Sequence, residues 1–278
     1  MSDLDRAETD LTVIIPFRDH GAMTATALRS LVRLPGASHV IAVDNGSRLE
    51  ETSSVHDALE LLRRSGHQTR LVRNDSPFNF QRINNDAARL CSTRFTLFMN
   101  NDARLVREST RLITMMLALA AEPDLGAIGA TLLLGDGRSF QHTGVRLDSG
   151  GFASHYLFGR ASDEWSTLPN AVVSAVTGAF VMVEARKFWE VEGFDERFIV
   201  CGGDVDLCLR LSRHGYRTVV CRDGWAIHDE SATRDPSNIP SSDFVESYYS
   251  YSTGFDPNTG DQYCNDELPY GLPLWMAG

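Results

Sequence analysis

Between residues 11 and 99 the chain alternates short β-branched apolar runs with longer segments that are polar on one side, and this alternation restricts the fold more than any other feature. Leu11 to Phe17 (LTVIIPF), His39 to Val43 (HVIAV), Gln68 to Val72 and Phe95 to Met99 (FTLFM) have the length and composition of buried strands. Thr24 to Val32, Glu50 to Arg64, Arg82 to Cys91 and Glu108 to Ala121 are expected helices, the second amphipathic with Leu59 and Leu62 on one side. Strand–helix–strand order calls for crossover connections, and so for a parallel sheet covered by helices on both faces. Ligands of such α/β sheets bind beyond the carboxyl ends of the strands. Two of those ends carry carboxylates here: Asp44 after the second strand, and Asn100-Asn101-Asp102 after the fourth.

The second half has a different texture. Gly126 to Leu134 is a further strand candidate, and Ser139 to Phe158 suggests hairpins. Val172 to Val183 is one strand, or two broken at Thr177-Gly178. Lys187 to Val191 and Asp204 to His214 are expected helices, and Tyr216 to Cys221 a strand. After Asp235 the character shifts again: five of the 7 tyrosines and five of the 10 prolines fall there. Prolines this frequent argue against long helices, while the aromatics are too many for a disordered tail. The stretch is therefore expected to dock on the body as irregular chain, over the acceptor side of the cleft or against a partner. The divisions that follow are an N-terminal extension (1–10), a main domain (11–235, with a first half 11–125 and a second half 126–235) and a Pro/Tyr-rich tail (236–278).

Lys plus Arg is 26 against 37 Asp plus Glu, a net charge of −11. An acidic surface repels phosphate backbones and argues against nucleic-acid binding. No apolar stretch reaches the roughly 20 residues of a membrane span, and the acidic Met1-Ser2-Asp3-Leu4-Asp5 start is unlike a secretory signal. The 5 cysteines show no C-x-x-C pair, hence neither a disulfide framework nor a zinc signature. The expectation is a cytoplasmic protein with at most peripheral contact at the inner membrane face, compatible with homo-oligomers.

Three spots carry chemistry. Asn100-Asn101-Asp102 ends a very apolar strand in polar groups. Carboxylate and amide oxygens there suit a hard divalent cation, and equally suit a turn. Gly202-Gly203-Asp204-Val205-Asp206 puts two carboxylates at the start of a helix. Residues two apart face different ways, so one should face the site while the other does structural work; a plain N-cap is the competing reading of Asp204. His228, in Ala226-Ile227-His228-Asp229, is a potential ligand or a structural histidine.

Taken in order, the motifs resemble family 2 glycosyltransferases of the GT-A fold, in their bacterial cell-surface polysaccharide branch. The matching pieces are VIIPFRDH (13–20), VDNGS (43–47), PFNFQRINNDAA (77–88), FMNND (98–102), QHTGV (141–145), SAVTGAFVMV (174–183), EGFDERF (192–198), GGDVDLCLRLSRHGYR (202–217) and IHDESATR (227–234), together spanning about residues 10 to 235. The resemblance implies a GT-A-like, Rossmann-type, mostly parallel sheet with helices on both faces and a smaller mixed acceptor-side half. It implies an inverting, metal-dependent transfer of a sugar from a UDP-, dTDP- or GDP-linked donor to a glycan or lipid-linked glycan acceptor in polysaccharide synthesis. By the same resemblance Asp204 is the general base. Asp102, His228 and Asn100 hold Mn²⁺ or Mg²⁺, and Asn100 stands where the family motif has its first Asp. Pro16, Arg18, Asp44, Asn85, Asn101, Thr177 and Gly178 line the donor. One departure is Gly203, where relatives often carry Glu or Asn.

Two other readings compete. A sugar-phosphate nucleotidyltransferase would carry a Gly-rich basic loop after the first strand, but Phe17-Arg18-Asp19-His20-Gly21 is not Gly-rich. A non-catalytic sugar-nucleotide-binding module would not need Asp102, Asp204 and His228 all at polar ends of apolar elements. A dehydrogenase is excluded because no G-x-G-x-x-G follows the first strand.

Overall fold

Alternation within the central strands decides which face each side chain takes. The computed structural model describes residues 8–148, 152–165, 167–229, 239–254, 260–265 and 267–277. In β1 (Glu8–Phe17), Val13 and Ile15 enter one apolar layer and Ile14 the other. In β4 (Phe95–Met99), Leu97 and Met99 take the first layer and Phe98 the second. The first layer is closed by α1 (Gly21–Ser30), α2 (Leu49–Arg64) and α4 (Ser109–Ala120). The second is closed by α3 (Phe80–Ala88), α5 (Ala185–Glu190) and α6 (Gly203–Arg213).

The remaining strands are β2 (Ala37–Asp44), β3 (Gln68–Arg73), β5 (Ala103–Arg104), β6 (Leu125–Leu133), β7 (Phe140–His142), β8 (Val145–Leu147), β9 (Ala153–His155), β10 (Ala171–Val173), β11 (Phe180–Glu184), β12 (Arg217–His228) and β13 (Leu272–Pro273). Among the described residues the main sheet runs β13-β10-β12-β6-β11-β4-β1-β2-β3, with β5 on β12 and β7 on β6. The pairs β3–β2, β2–β1 and β1–β4 are parallel, as is β6–β12. Strand β11 lies antiparallel to both β4 and β6, so the long strands on either side of it point the same way. Sequence order reverses direction between β1 and β4, which opens a crevice beyond their carboxyl ends. This is the α/β architecture expected, with helices on both faces. The hairpin expectation for 139–158 is met by β8 and β9, though residues 149–151 lie outside the described residues.

Two elements differ from the sequence reading. The apolar run predicts a strand that stops at Cys221, but β12 continues to His228. Arg222 to Trp225, just beyond that run, form a bulge, where the register against β6 shifts between Cys221 and Ala226. The second difference is in the tail. Ser241 to Gly254 forms a 14-residue helix, α7. The prolines expected to forbid it stand outside its ends, Pro240 immediately before it and Pro257 beyond it; a proline ahead of the first turn removes no helical hydrogen bond. The expected junction at residue 235, the IHDESATR motif from residue 230 on, and Pro236, Phe255 and Pro257 lie outside the described residues, as do residues 1–7 of the N-terminal extension.

The tail is docked. Asp243 in the first turn of α7 is fully buried, and its carboxylate accepts the backbone N–H groups of Ile199, Val200 and Cys201 at 2.9, 2.7 and 3.0 Å. Ser250 Oγ donates to Asp206 Oδ1 at 2.6 Å. Further on, Asp261 accepts the N–H of Leu147 at 2.8 Å, and β13 closes the edge of β10. Asp243→Ala leaves three donors of a partly buried turn short of a partner and opens a gap where a buried carboxylate stood. It should lower stability by about 2–3 kcal/mol and the melting temperature by roughly 5 °C. A melting curve identical to that of the unsubstituted protein would mean that α7 contributes nothing to the folded body.

Candidate active site

The site grows from the carboxyl ends of the parallel strands. Backbone bonds stitch the first three ends together: Asn45 N–H donates to Phe17 C=O and Asn74 N–H to Asp44 C=O, both at 2.8 Å. Asp44 is buried. Its Oδ1 accepts Ser47 N–H at 2.7 Å and its Oδ2 accepts from Arg73 at 2.6 Å. Pro16 lies opposite Val43 in the β1–β2 register. Arg18 is exposed in the turn that follows, where Asp19 and His20 both take positive φ, 53° and 49°. Asn45 has a buried Oδ1 without a donor among the described residues, and sequence reasoning did not single it out.

At the fourth strand end, β5 pairs antiparallel with the end of β12, setting His228 opposite Ala103. This register carries the imidazole to Asp102, with Nε2 3.1 Å from Oδ1. Both residues are buried, 6% exposed each. The contact has no hydrogen-bond geometry, and Asp102 Oδ1, both His228 ring nitrogens and Asn100 Oδ1 are buried without a hydrogen-bond partner. An open carboxylate oxygen next to an open imidazole, with an unpartnered amide oxygen two residues before the carboxylate, has the chemistry that a divalent cation such as Mn²⁺ or Mg²⁺ would need. Among the described residues no cluster of three or more His, Cys, Asp or Glu converges on one point. A cation here would have two such side chains, Asp102 and His228, and would take its other positions from neighbouring amide oxygens and a ligand. Asn101 turns away from this group: its Nδ2 donates to Thr24 Oγ1 in α1 at 3.1 Å.

The turn between β10 and β11 joins this strand end to α6. Ala179 C=O accepts Asn100 N–H at 2.9 Å, and Gly178 N–H donates to Asp204 Oδ2 at 2.8 Å. A Cβ on Gly178 would stand 3.1 Å from that of Asp204, so glycine permits the approach. Asp204 Oδ1 accepts the N–H of Val205 at 2.9 Å. Asp204 is half-buried at the first turn of α6. The second carboxylate does what the spacing predicts: Asp206, buried, accepts from Arg210 Nε at 2.7 Å and from Ser250.

Gly203 has a local explanation. A Cβ there would come within 2.5 Å of the Gln81 carboxamide carbon. Gln81 is 2% exposed and fills the space from α3, with no donor to its Oε1 among the described residues. Asn85, expected at the donor, is engaged elsewhere. Its Oδ1 accepts Phe194 N–H at 2.9 Å, and its Nδ2 donates to Phe194 C=O at 2.8 Å and to Glu196 at 3.2 Å. It clamps the EGFDERF turn onto α3. Burial pushes the Cys208 and Cys221 thiols up to about 12, which keeps both as thiols rather than nucleophilic thiolates.

The structure thus brings Asn100, Asp102, His228, Thr177, Gly178 and Asp204 together, with Pro16 and Asp44 along the same row of strand ends. The arrangement offers an open cation cradle and an oriented carboxylate on opposite ends of one short turn.

Known proteins resemble this chain in sequence and in fold. The family described as Glycosyl transferase family 2 matches residues 12–182. O-antigen biosynthesis protein RfbC of Myxococcus xanthus is 35% identical over 280 residues, covering 95% of this chain and 20% of its own length. The chain therefore spans about a fifth of that relative. Among solved structures, mannosyltransferase PcManGT from Pyrobaculum calidifontis, in complex with GDP-Man and Mn²⁺, superposes with a TM-score of 0.59 at 16% identity, over 81% of this chain and 58% of that one. S. aureus TarS 1-349 in complex with UDP-GlcNAc gives 0.58 at 14% identity, over 90% and 69%. At such identities these two share the fold. The sequence match over more than half its length is what decides that the chain belongs to glycosyl transferase family 2.

Proposed function

We propose that the chain is an inverting glycosyltransferase that moves a sugar from a nucleoside-diphosphate donor to an acceptor hydroxyl, with Asp204 as general base. The observation that carries this reading is the Gly178–Asp204 hydrogen bond, which aims a half-buried carboxylate across the turn that also ends at the Asn100–Asp102 strand end. Each Asp204 oxygen accepts one backbone N–H and keeps a lone pair, so the carboxylate is held in orientation without losing its capacity to take a proton. Abstraction of the acceptor proton by such a group contributes typically 10²–10⁴-fold. Direct attack opposite the leaving group inverts the anomeric carbon and needs no carboxylate nucleophile.

Asp102, His228 and Asn100 hold the divalent cation, Mn²⁺ or Mg²⁺, whose chemistry is Lewis-acid stabilisation of the negative charge on the departing diphosphate. Pro16, Arg18 and Asp44 border the nucleoside, and Thr177 and Gly178 lie under the transferred sugar. Asn101 and Asn85 act at one remove, by tying the strand end to α1 and the 193–196 turn to α3. The GDP-Man and UDP-GlcNAc complexes of the similar structures, the first of which also carries Mn²⁺, support a sugar-nucleotide donor and a metal. The RfbC likeness supports a glycan or lipid-linked glycan acceptor in surface-polysaccharide synthesis, and hence work at the cytoplasmic face of a membrane. Among the described residues no helix is long and apolar enough to cross one. Family membership disfavours the nucleotidyltransferase and non-catalytic readings.

Asp204→Asn keeps an oxygen for the Gly178 N–H but loses the basic site. Turnover should fall at least ~10²-fold while nucleoside-diphosphate affinity stays within about twofold; retention of a tenth of the activity would remove Asp204 from the role of base.

The metal reading has its own test. Exhaustive chelation should abolish turnover, and added Mn²⁺ or Mg²⁺ should restore it. His228→Ala, which deletes one of two strong ligands, should move the metal titration midpoint upward by about tenfold or more, and Asp102→Ala should weaken nucleoside-diphosphate binding in the presence of metal. Full activity in EDTA, or an unmoved titration in His228→Ala, contradicts the assignment.

A further inference from the structure

The turn that orients Asp204 is held from a third side, by a residue the proposed chemistry does not use. His142, at the end of β7, is fully buried. Its Nε2 accepts two backbone N–H groups, from Gly144 at 3.3 Å and from Thr177 at 3.4 Å. A ring nitrogen that accepts carries no proton, so the imidazole is neutral with its hydrogen on Nδ1. Burial holds the ring well below the ordinary histidine range, and the neighbouring His155, His228 and Arg222 act in the same direction.

The ring has little freedom. It packs edge-on against His155 at 4.8 Å between centroids, and His155 Nδ1 is 2.9 Å from Gln141 C=O. Gly144 has φ +113°, and a Cβ there would meet the Tyr156 ring at 2.8 Å. The Gln141-His142-Thr143-Gly144 motif is therefore a rigid shelf, and the nitrogen it presents lies under Thr177.

Three consecutive residues of the turn thus carry three anchors. Thr177 N–H goes to His142 Nε2, Gly178 N–H to Asp204 Oδ2, and Ala179 C=O receives Asn100 N–H. The N–H groups of Thr177 and Gly178 belong to adjacent peptide planes. If the first plane is released, rotation about Thr177 swings the second, and the donor that orients the Asp204 carboxylate moves with it.

We infer that His142 is a positioning residue for glycosyl transfer, its Nε2 fixing the Thr177–Ala179 turn and, through the Gly178 N–H, the Asp204 carboxylate. The inference rests on Asp204 being the base. Since His142 touches neither Asp204 nor the cradle atoms by a hydrogen bond, its loss should lower the rate of the chemical step and leave donor binding alone.

The test compares His142→Leu, His142→Asn and His142→Gln in the full chain, with the unsubstituted protein and Asp204→Asn alongside. A glutamine amide places its oxygen near the position of Nε2, whereas an asparagine amide reaches only as far as Nδ1. Two readouts are needed. One is release of nucleoside diphosphate from a panel of UDP-, dTDP- and GDP-sugars with Mn²⁺, water serving as acceptor. The other is hydrogen exchange of the Thr177 and Gly178 amides, which needs no substrate. His142→Leu should lower kcat about 10²-fold, the scale of a misplacement near 1 Å, with donor KM unchanged, and should speed exchange at both amides. His142→Gln should recover most of the rate and the protection, and His142→Asn neither. Should His142→Leu fail to fold, the Gln and Asn variants still decide. Equal behaviour of Gln and Asn, or unchanged exchange at Thr177 and Gly178 in a variant that lacks the acceptor, overturns the inference. Retained turnover in Asp204→Asn would instead overturn the reading of Asp204, whatever the His142 variants do.

Discussion

The site depends on one short turn whose backbone is bonded on three sides. Thr177, Gly178 and Ala179 sit between β10 and β11, and each uses a main-chain group to hold a different part of the molecule: the β7 shelf, the start of α6 and the end of β4. Main-chain groups suit this role because their positions are set by strands already fixed in the sheet. Strand β11 is the reversed strand lying between β4 and β6. That reversal brings the turn before β11 to the carboxyl ends of its neighbours. A parallel strand in that place would deliver its leading turn to the opposite edge of the sheet.

The Asp102–His228 contact on the other side of the turn from Asp204 is produced by register too. Asp102 follows β4 in sequence, but His228 arrives from 126 residues away, along a strand that must pass a bulge to reach it. Two residues of β5 then fix the last step by pairing Ala103 with His228. The Arg104–Asp229 ion pair reaches diagonally across this pairing, since Arg104 lies opposite Ile227 while Asp229 N–H donates to Asp102 C=O. A one-residue slip would turn the imidazole to the other face of the strand.

Much of this was legible in the chain. The four apolar runs and their polar ends gave the parallel half of the sheet, and the spacing of Asp204 and Asp206 correctly separated a carboxylate facing the turn from one tied to Arg210. What escaped was set by contacts far apart in sequence. Asn85 looks like a site residue in its motif, yet its amide is engaged with Phe194, 109 positions on. Gly203 looks like a lost side chain until Gln81 is seen to occupy its space. His142 has no local feature that distinguishes a neutral acceptor from any core histidine. In the tail, proline content outweighed proline position: α7 fits between Pro240 and Pro257.

The distribution of unsatisfied polar atoms adds a physical argument for where a ligand belongs. Buried donors and acceptors in folded proteins are nearly always paired, because each orphan costs about 1–3 kcal/mol. Unpaired buried atoms occur in several places among the described residues, Thr69 Oγ1, Asn84 Oδ1 and Thr218 Oγ1 among them, but Asn100 Oδ1, Asp102 Oδ1, both His228 nitrogens, Gln141 Oε1 and His142 Nδ1 lie on the strand end, the β12 terminus and the β7 shelf that surround one turn. Equally buried carboxylates elsewhere, Asp243 and Asp206, are fully engaged by hydrogen bonds. Asp44, on the same row of strand ends, is likewise engaged at both oxygens, so Asp102 is the buried carboxylate left with an open oxygen among the described residues. A fold tolerates that asymmetry when something else completes the set, and the chemistry of the open atoms, chiefly oxygen and imidazole nitrogen, is that of a cation and the oxygens it carries.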